Sequence, residues 1–316
     1  MSTKFYYFTR DGRCKWAKEQ IARQIPKALM MKLSKTPYYV IADWNSIDGK
    51  GIQKEYLSKM GIPYVNSVEE LPEGAGVAVS AYDGDHQEIK YLREKGVPIY
   101  EQVCPWIKKL RDIFLNNIEG YQYVFLCEED HMIAVNYRNI FPEGTILITP
   151  DNYREKLDRL NPNQPIFFIV YAAFRVKDSQ RIIQYIKDNY NHPNNIYHTD
   201  TICQWSGGKN SIFDEVSKVY RNMNLDEVWV ITSSEKNTSV KSLIREFTEV
   251  GLKYRLVKTI DDIEQIDKNA LQDKTIGILR APNPYYLEEN ILSHIKNMDK
   301  KLNHKGTLQF LKRIFQ

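Results

Sequence analysis

Apolar residues in this chain fall into short continuous runs rather than alternating with polar ones. The runs are rich in β-branched and aromatic residues. Strands of a parallel sheet covered on both faces have this pattern, because both sides of each strand are buried. The sequence therefore predicts strands at 38–44, 76–82, 98–104, 123–129, 145–149, 166–174, 227–233, 254–260 and 275–281.

Between these runs lie segments whose apolar residues recur every three or four positions, the spacing of one face of a helix. They cover 52–60, 87–95, 211–223, 239–251 and 286–298. Alternating strands and helices predict the α/β class with parallel sheets.

The strand–helix pattern restarts near Cys104 and again near Cys203. We therefore predict three α/β lobes. The first covers residues 1–104, with 285–316 folding back on it, the second covers 105–202, and the third covers 203–284.

Several predicted strands end in polar loops, where open α/β sheets bind their ligands. These loops are 42–46, 80–86, 127–131, 232–239 and 280–284. The loop at 232–239 precedes a predicted helix, so its hydroxyls and backbone N–H groups suit an anion, or equally a plain N-cap. The acidic loop at 127–131 holds a histidine that could shuttle protons, although a solvated loop is the commoner case.

Composition limits the function classes. Of its 316 residues, 42% are hydrophobic and 27% are charged. These fractions are ordinary for a folded globular protein. A net charge of +4 is too small for a dedicated nucleic-acid binder. No apolar run is long enough to span a bilayer, and the first residues lack the apolar core of a secretory signal, which predicts a cytoplasmic protein. There is no dinucleotide-binding glycine motif, Walker loop or serine-hydrolase motif.

Cys14, Cys104 and Cys203 are spaced almost evenly, each at or next to the start of a predicted helix. Three thiolates meeting at one point would hold an iron–sulfur cluster with one iron open for chemistry. The chain has no C-x-x-C pair, which disfavours zinc ribbons and thioredoxin-like redox sites. Two alternatives stay open: cysteines buried as small hydrophobic residues, and a single thiol nucleophile at a helix start.

Four blocks, three of which contain one of these cysteines, resemble motifs of the LytB (IspH) family. GRCKWAKEQI (12–21) resembles G-F-C-x-G-V-x-R-A-I, and LPEGAGVAVSAYD (71–83) resembles P-x-G-x-x-V-x-F-S-A-H-G. IYEQVCPWIKKL (99–110) is similar to A-T-C-P-L-V-x-K-V, and TDTICQWSGGKN (199–210) to D-T-I-C-x-A-T-x-N-R-Q.

The resemblance implies a trefoil of three α/β lobes around a [4Fe–4S] cluster. Cys14, Cys104 and Cys203 would be its ligands, and the fourth iron would bind the substrate oxygen. The family reduces hydroxymethylbutenyl diphosphate in isoprenoid biosynthesis, with electrons from a ferredoxin or flavodoxin. Each of these properties is an expectation for this chain.

This chain departs from the family at the first two site blocks and at the proton-relay position. Trp44 stands where the family has a histidine, Tyr82 replaces a second histidine, and Asp83 replaces the glycine that follows it. His131 is kept, but the glutamate that relays protons in the family falls on Ile133.

The diphosphate clamp also changes. The family's S-S-N becomes Asn237, Thr238 and Ser239, and a serine falls on Pro282, with Arg280 and Asn283 beside it. The cluster ligands therefore persist while most of the diphosphate pocket does not.

Our first hypothesis is an iron–sulfur enzyme that reduces a small molecule other than hydroxymethylbutenyl diphosphate, with no nucleic-acid or membrane partner. Tyr82, Asp83 and His131 would supply protons. Trp44, Asn237, Thr238, Ser239, Arg280 and Asn283 would bind the substrate.

The second hypothesis is that the chain still reduces hydroxymethylbutenyl diphosphate with a rebuilt pocket. The third is a non-catalytic cluster protein, a sensor with Cys127 as fourth ligand, or a sulfur-transfer protein with extra sulfide on the open iron.

Overall fold

The computed structural model describes residues 3–8, 36–45, 57–58, 61–79, 83–101, 103–204, 206–208, 211–232, 234–281 and 289–302. The strands are β1 (Lys4–Tyr7), β2 (Tyr38–Ile41), β3 (Tyr64–Val65), β4 (Gly76–Val79), β5 (Ile99–Glu101), β6 (Gln122–Leu126), β7 (Ile146–Ile148), β8 (Ile166–Val170), β9 (Ile196–His198), β10 (Glu227–Ile231), β11 (Lys253–Val257) and β12 (Thr275–Arg280).

The helices are α1 (His86–Glu94), α2 (Pro105–Leu115), α3 (Met132–Tyr137), α4 (Tyr153–Leu157), α5 (Val176–Asn189), α6 (Ile212–Met223), α7 (Thr238–Val250) and α8 (Ile260–Glu264). Residues 289–302 are also helical. Local chemistry explains several helix starts. The Asp85 carboxylate accepts the Gln87 and Glu88 N–H groups in the first turn of α1. Pro105 occupies the first turn of α2, where a missing N–H costs nothing.

Residues Cys14–Cys203 form one compact unit with two parallel sheets among the described residues. The first has the strand order β3-β2-β4-β5 and the second the order β7-β6-β8-β9. Every residue of β8 is buried, as expected of a central strand with both faces covered.

Residues Met1–Arg13 and Gln204–Gln316 form the other unit, whose described strands make a parallel sheet in the order β1-β12-β10-β11. Alternate residues of β10 serve opposite sides of this sheet. Val228 and Val230 pack with α6 and α7 on one side, while Trp229 and Ile231 pack with the helical residues 289–302 on the other. The sheet is thus covered on both faces, which explains why its central strands, β10 and β12, are mostly apolar and buried.

The predicted α/β class with parallel sheets is confirmed. The predicted strands correspond to β2, β4–β8 and β10–β12, and several end earlier than predicted because the chain leaves the sheet for the polar loops. The sequence did not predict β1, β3 and β9. They are short and only partly buried, so they leave no continuous apolar run. The predicted helix at 52–60 lies largely outside the described residues.

The lobe boundaries differ from the predicted ones at the chain ends. The prediction joins the start of the chain to residues up to 104 and folds 285–316 back on that lobe. In the structure, Lys4–Tyr7 pairs in parallel with Thr275–Ile278, so the first strand belongs to the C-terminal unit. The helical residues 289–302 pack on that same sheet through Ile291 and Ile295.

Within the part of the chain that the structure describes, no helix has both the length and the apolar character needed to cross a bilayer.

Candidate functional site

The predicted site residues of the first sheet follow β2 and β4, two neighbouring parallel strands. Trp44 lies in a short 3-10 turn just after β2, and Asp83 lies a few residues after β4. Because parallel neighbours end at the same edge, the two loops meet there. Gly84 makes this meeting possible, since a Cβ on it would overlap the Trp44 ring.

Trp44 is part of the core. Its side chain is 3% exposed and packs with the apolar residues of the first sheet. The indole N–H donates to the Glu88 carboxylate, and the Trp44 carbonyl accepts from the Asn136 side chain at 2.9 Å. The polar groups of Trp44 are therefore engaged inside the protein, which does not support direct substrate binding by its side chain.

Asp83 is buried at 1% exposure and is held by three donors. Its Oδ2 accepts from Arg111 Nη1 at 3.0 Å and from the Tyr137 hydroxyl at 2.7 Å, and its Oδ1 accepts from the Gly84 N–H at 3.0 Å. Burial and the neighbouring Asp83 carboxylate raise the pKa of Tyr137 well above its usual value. A carboxylate so enclosed does not fit the predicted role of proton donor to a substrate. Tyr82, another predicted proton donor, lies outside the described residues.

Cys104 is the N-cap residue of α2 and is half-buried. A helix N-terminus carries partial positive charge, which favours a thiolate at this position. Cys104 therefore has the local environment that a metal-ligating thiolate needs.

Cys203 is 3% exposed and lies over the carboxyl edge of the second sheet. Its N–H donates to the Ala172 carbonyl at 3.0 Å, just beyond β8. The turn before it is fixed by the Thr201 hydroxyl, which donates to the Val170 carbonyl at 2.6 Å. An ion pair between Lys109 of α2 and Asp200 joins this turn to the helix that begins after Cys104.

These two thiols fit an iron–sulfur cluster by their chemistry. Cys104 is the N-cap residue of α2, and the backbone N–H of Cys203 is bonded to Ala172, just beyond β8. Cys14, the third predicted ligand, lies outside the described residues. Within the described ranges no three His, Cys, Asp or Glu side chains gather as a metal site. The acidic loop at 127–131 is therefore not a metal centre by itself.

His131 is the N-cap residue of α3, and its Nδ1 accepts the Ile133 N–H at 3.1 Å. This bond places the proton of the neutral ring on Nε2, leaving Nε2–H as the donor. The ring lies against Tyr171, with 4.3 Å between centroids. Tyr171 directly follows β8, so His131 shares the carboxyl edge of the second sheet with Cys203. His131 keeps the role of candidate proton donor.

Cys127 is fully buried at the end of β6, where its N–H donates to the Ile148 carbonyl at 3.0 Å. Burial, and next the charge of Glu128, raise the pKa of its thiol well above the usual value. A cysteine that ligates a metal does so as a thiolate, whereas burial favours the neutral thiol of Cys127. Its role as the fourth cluster ligand stays a prediction.

The predicted anion-binding residues lie in the C-terminal unit. Asn237 is the N-cap residue of α7, and its side chain accepts the Ser239 N–H at 2.8 Å. Thr238 and Ser239 are buried in the first turn of α7. The plain N-cap interpretation of this loop thus accounts for the Asn237 side chain. An anion at the remaining N–H groups stays a prediction.

Arg280 ends β12 beside Ile231, the last residue of β10, so it shares a sheet edge with the loop before α7. Its guanidinium lies 3.3 Å from the Glu289 carboxylate and is 22% exposed. Part of its charge is therefore already balanced by protein. Asn283 lies outside the described residues.

The sequence did not indicate Arg111, Tyr137 or Glu88, which hold Asp83 and Trp44 in place. Arg111 and Tyr137 are 28 and 54 positions from Asp83. No local pattern reports contacts between such distant segments.

The matches to known proteins agree with the resemblance. The family model described as LytB protein matches residues 35–296. A 4-hydroxy-3-methylbut-2-enyl diphosphate reductase of Nautilia profundicola is 22% identical over 80% of this chain and 87% of its own length. The same enzyme of Ehrlichia ruminantium strain Gardel is 24% identical over 81% of this chain and 75% of its own.

Two solved structures have the same fold. The reductase from Plasmodium falciparum matches with a TM-score of 0.72 at 19% identity, covering 93% of this chain and 88% of that one. A second reductase, described as the terminal enzyme of the non-mevalonate pathway, matches with a TM-score of 0.56 at 17% identity, covering 93% and 99%. Since the family model spans most of the sequence, this chain belongs to the LytB family of iron–sulfur oxidoreductases.

Proposed function

We propose that this protein is a [4Fe–4S] reductase that removes a hydroxyl, or a comparable leaving group, from a small molecule other than hydroxymethylbutenyl diphosphate. Family membership supports the reductase chemistry. The structure around Trp44 and Asp83 supports the change of substrate, and it is the observation that carries this proposal.

The cluster would be held by Cys14, Cys104 and Cys203. When bound, it supplies electrons and a Lewis-acidic iron. The Cys104 thiolate is favoured by the N-terminus of α2, and Cys203 is fixed by its backbone bond to Ala172.

His131 is the proposed proton donor. The Ile133 N–H holds its Nδ1, so the neutral ring carries its proton on Nε2, and from there it would relay a solvent proton to the leaving hydroxyl so that it departs as water. Reductive removal of a hydroxyl consumes two electrons and two protons, one for the leaving group and one for carbon. Tyr82, three positions after the end of β4 in the sequence, is the proposed source of the second proton.

The altered residues disfavour a diphosphate. A charge-assisted hydrogen bond contributes roughly 1.5–3 kcal/mol, and the family's histidines at the positions of Trp44 and Tyr82 are gone. Losing both would lower affinity by about two to four orders of magnitude. We propose that Asn237, Thr238, Ser239, Arg280 and Asn283 instead hold a smaller anion, such as a carboxylate.

The electron donor is proposed to be a ferredoxin or flavodoxin, and the compartment the cytoplasm, which is reducing and keeps thiols available for cluster assembly.

Reduction of hydroxymethylbutenyl diphosphate itself is the second candidate, because the curated relatives carry that name. A non-catalytic sensor that closes the cluster with Cys127 has less support, since that thiol is fully buried with a raised pKa. Sulfur transfer would require an extra sulfide on the open iron. The ratio of acid-labile sulfide to iron, measured in the first experiment, tests for it.

The first experiment measures iron and acid-labile sulfide after anaerobic purification. We expect about four of each per chain. The matched variants are Cys203→Ser and Cys127→Ser, two buried cysteines at 3% and 0% exposure. Cys203→Ser should lose the intact cluster, and Cys127→Ser should keep it. A metal-free wild-type protein after reconstitution would overturn the reductase proposal.

The substrate is tested next by oxidation of reduced methyl viologen. Hydroxymethylbutenyl diphosphate is compared with hydroxylated carboxylic acids that lack phosphate. We expect turnover only among the second group, and rapid turnover of the diphosphate would establish the second candidate instead.

A further inference from the structure

Asp83 lies at the centre of a buried cluster that joins three separate segments of unit Cys14–Cys203. The carboxylate itself follows β4, Arg111 lies in α2, and Tyr137 is the last residue of α3. Exposure is 1% for Asp83, 9% for Arg111 and 0% for Tyr137. We refer to these three residues as the Asp83 cluster.

Each helix in the cluster also begins at a residue of the proposed site. Cys104 is the N-cap of α2, and His131 is the N-cap of α3. A further contact joins the two helices directly, since the Tyr137 hydroxyl lies 3.3 Å from the Ile107 carbonyl. Cys104, the proposed ligand of the iron–sulfur cluster, and His131, the proposed proton donor, are therefore carried by two helices that both contact the Asp83 carboxylate.

These contacts are strong restraints. Hydrogen bonds to an ionised group are about twice as strong as neutral ones, and the surrounding protein excludes the water that would compete. Arg111 has a second acidic neighbour, Glu101, at 3.5 Å, but that side chain is partly exposed. Removing Asp83 would thus leave a buried guanidinium poorly compensated.

The backbone conformation of Asp83 is uncommon for a residue with a side chain. Its φ of 67° is in the left-handed region, which favours glycine over residues with a side chain. The family motif has glycine at this position, and this chain has aspartate, which adopts the left-handed region more readily than most residues. The substitution adds a carboxylate where the motif has no side chain.

We propose that Asp83 is a positioning residue that fixes α2, with Cys104, against α3, with His131. This inference rests on the proposed function for the roles of Cys104 and His131. The contacts themselves do not depend on the cofactor.

The test uses the full chain with Asp83→Asn and Tyr137→Phe. The milder variant, Tyr137→Phe, keeps the ring and the Arg111–Asp83 ion pair. The control is Tyr190→Phe, because the buried Tyr190 hydroxyl donates to the Leu157 carbonyl at 2.5 Å, outside the Asp83 cluster.

The first readout is made on protein without an iron–sulfur cluster. Amide hydrogen exchange should rise together in α2 and α3 of both test variants, and alkylation of Cys104 should become several-fold faster. In Tyr190→Phe both helices should keep the wild-type rates. Exchange that rises in only one of the two helices, or equally throughout the unit, would overturn the inference.

The second readout is the electron paramagnetic resonance spectrum of the reduced, cluster-loaded protein. It should change in Tyr137→Phe and match wild type in Tyr190→Phe, and an unchanged spectrum in Tyr137→Phe would contradict positioning of Cys104. If wild-type protein fails to take up a cluster, the proposed function fails. The exchange and alkylation results still decide whether the Asp83 cluster couples the two helices.

Discussion

Replacing Asp83 by Asn removes the charge that faces Arg111 but keeps an oxygen that can accept the Tyr137 hydroxyl. The companion change, Arg111→Met, removes the guanidinium and preserves most of the stem volume. Together the two substitutions and their double variant measure how strongly these side chains depend on each other.

The expected magnitude follows from burial. Removing one partner of a buried ion pair costs about 3–5 kcal/mol, because the other charge stays buried without compensation. Glu101 lies 3.5 Å from Arg111 and offsets part of this cost. We therefore expect about 3 kcal/mol of destabilisation for Asp83→Asn and a similar value for Arg111→Met. The double variant leaves neither charge stranded and should also lose only about 3 kcal/mol, a coupling of about 3 kcal/mol.

The assay is urea unfolding of the full chain, with hydrogen exchange identifying the transition of residues 14–203. With a slope of about 1–3 kcal/mol per molar urea, each single variant should lower the midpoint by about 1 M or more. The control pair is Glu155 and Arg159, an ion pair of 2.6 Å whose side chains are 73% and 69% exposed. Its coupling should stay below about 0.5 kcal/mol.

Additive effects at Asp83 and Arg111 would refute the reasoning. A coupling no larger than that of the exposed control pair would mean that the buried ion pair adds nothing specific to the fold.

Three further predictions concern single residues. Gly84→Ala should destabilise the protein by about 1–3 kcal/mol in thermal unfolding, because its new methyl group overlaps the Trp44 ring; a neutral effect would show that the ring is not held there. Asn237→Ala should cost about 0.5–2 kcal/mol through loss of the N-cap bond to Ser239, with Asn237→Ser restoring most of it. Since the folded pKa of Tyr137 is raised above its usual value of 10.0, its contribution to stability is complete below pH 10 and is lost as the pH rises beyond it. Unfolding measured across alkaline pH should therefore be less pH-dependent in Tyr137→Phe than in wild type, and identical slopes would contradict the shift.

Much of the fold could be predicted from sequence because burial on both faces leaves a direct trace. Every residue of β8 is buried, and so is every residue of β10 after Glu227. Both strands therefore appear in the sequence as almost unbroken apolar runs. The short edge strand β9 is half-buried, and its mixed sequence gave no such trace.

The sequence alone could not assign β1 to its sheet. Lys4–Tyr7 pairs with a strand more than 260 residues later, and this pairing depends on tertiary packing rather than on any property of the four residues. For the same reason the helical residues 289–302 pack on the sheet of the C-terminal unit, in the same apolar cluster as Phe5 and Tyr7 of β1.

At the site, sequence determined the identities and local positions of Cys104, Cys203 and His131, since a helix start and a strand end are local features. Tertiary structure decided which polar groups are already engaged. Asp83 looked like an available acid in a loop, and only the fold brings Arg111 and Tyr137 to it from distant segments. Hydrophobic periodicity records whether a residue is buried. The partner that a buried charge meets is set by how separate elements pack, and that information exists only in the folded chain.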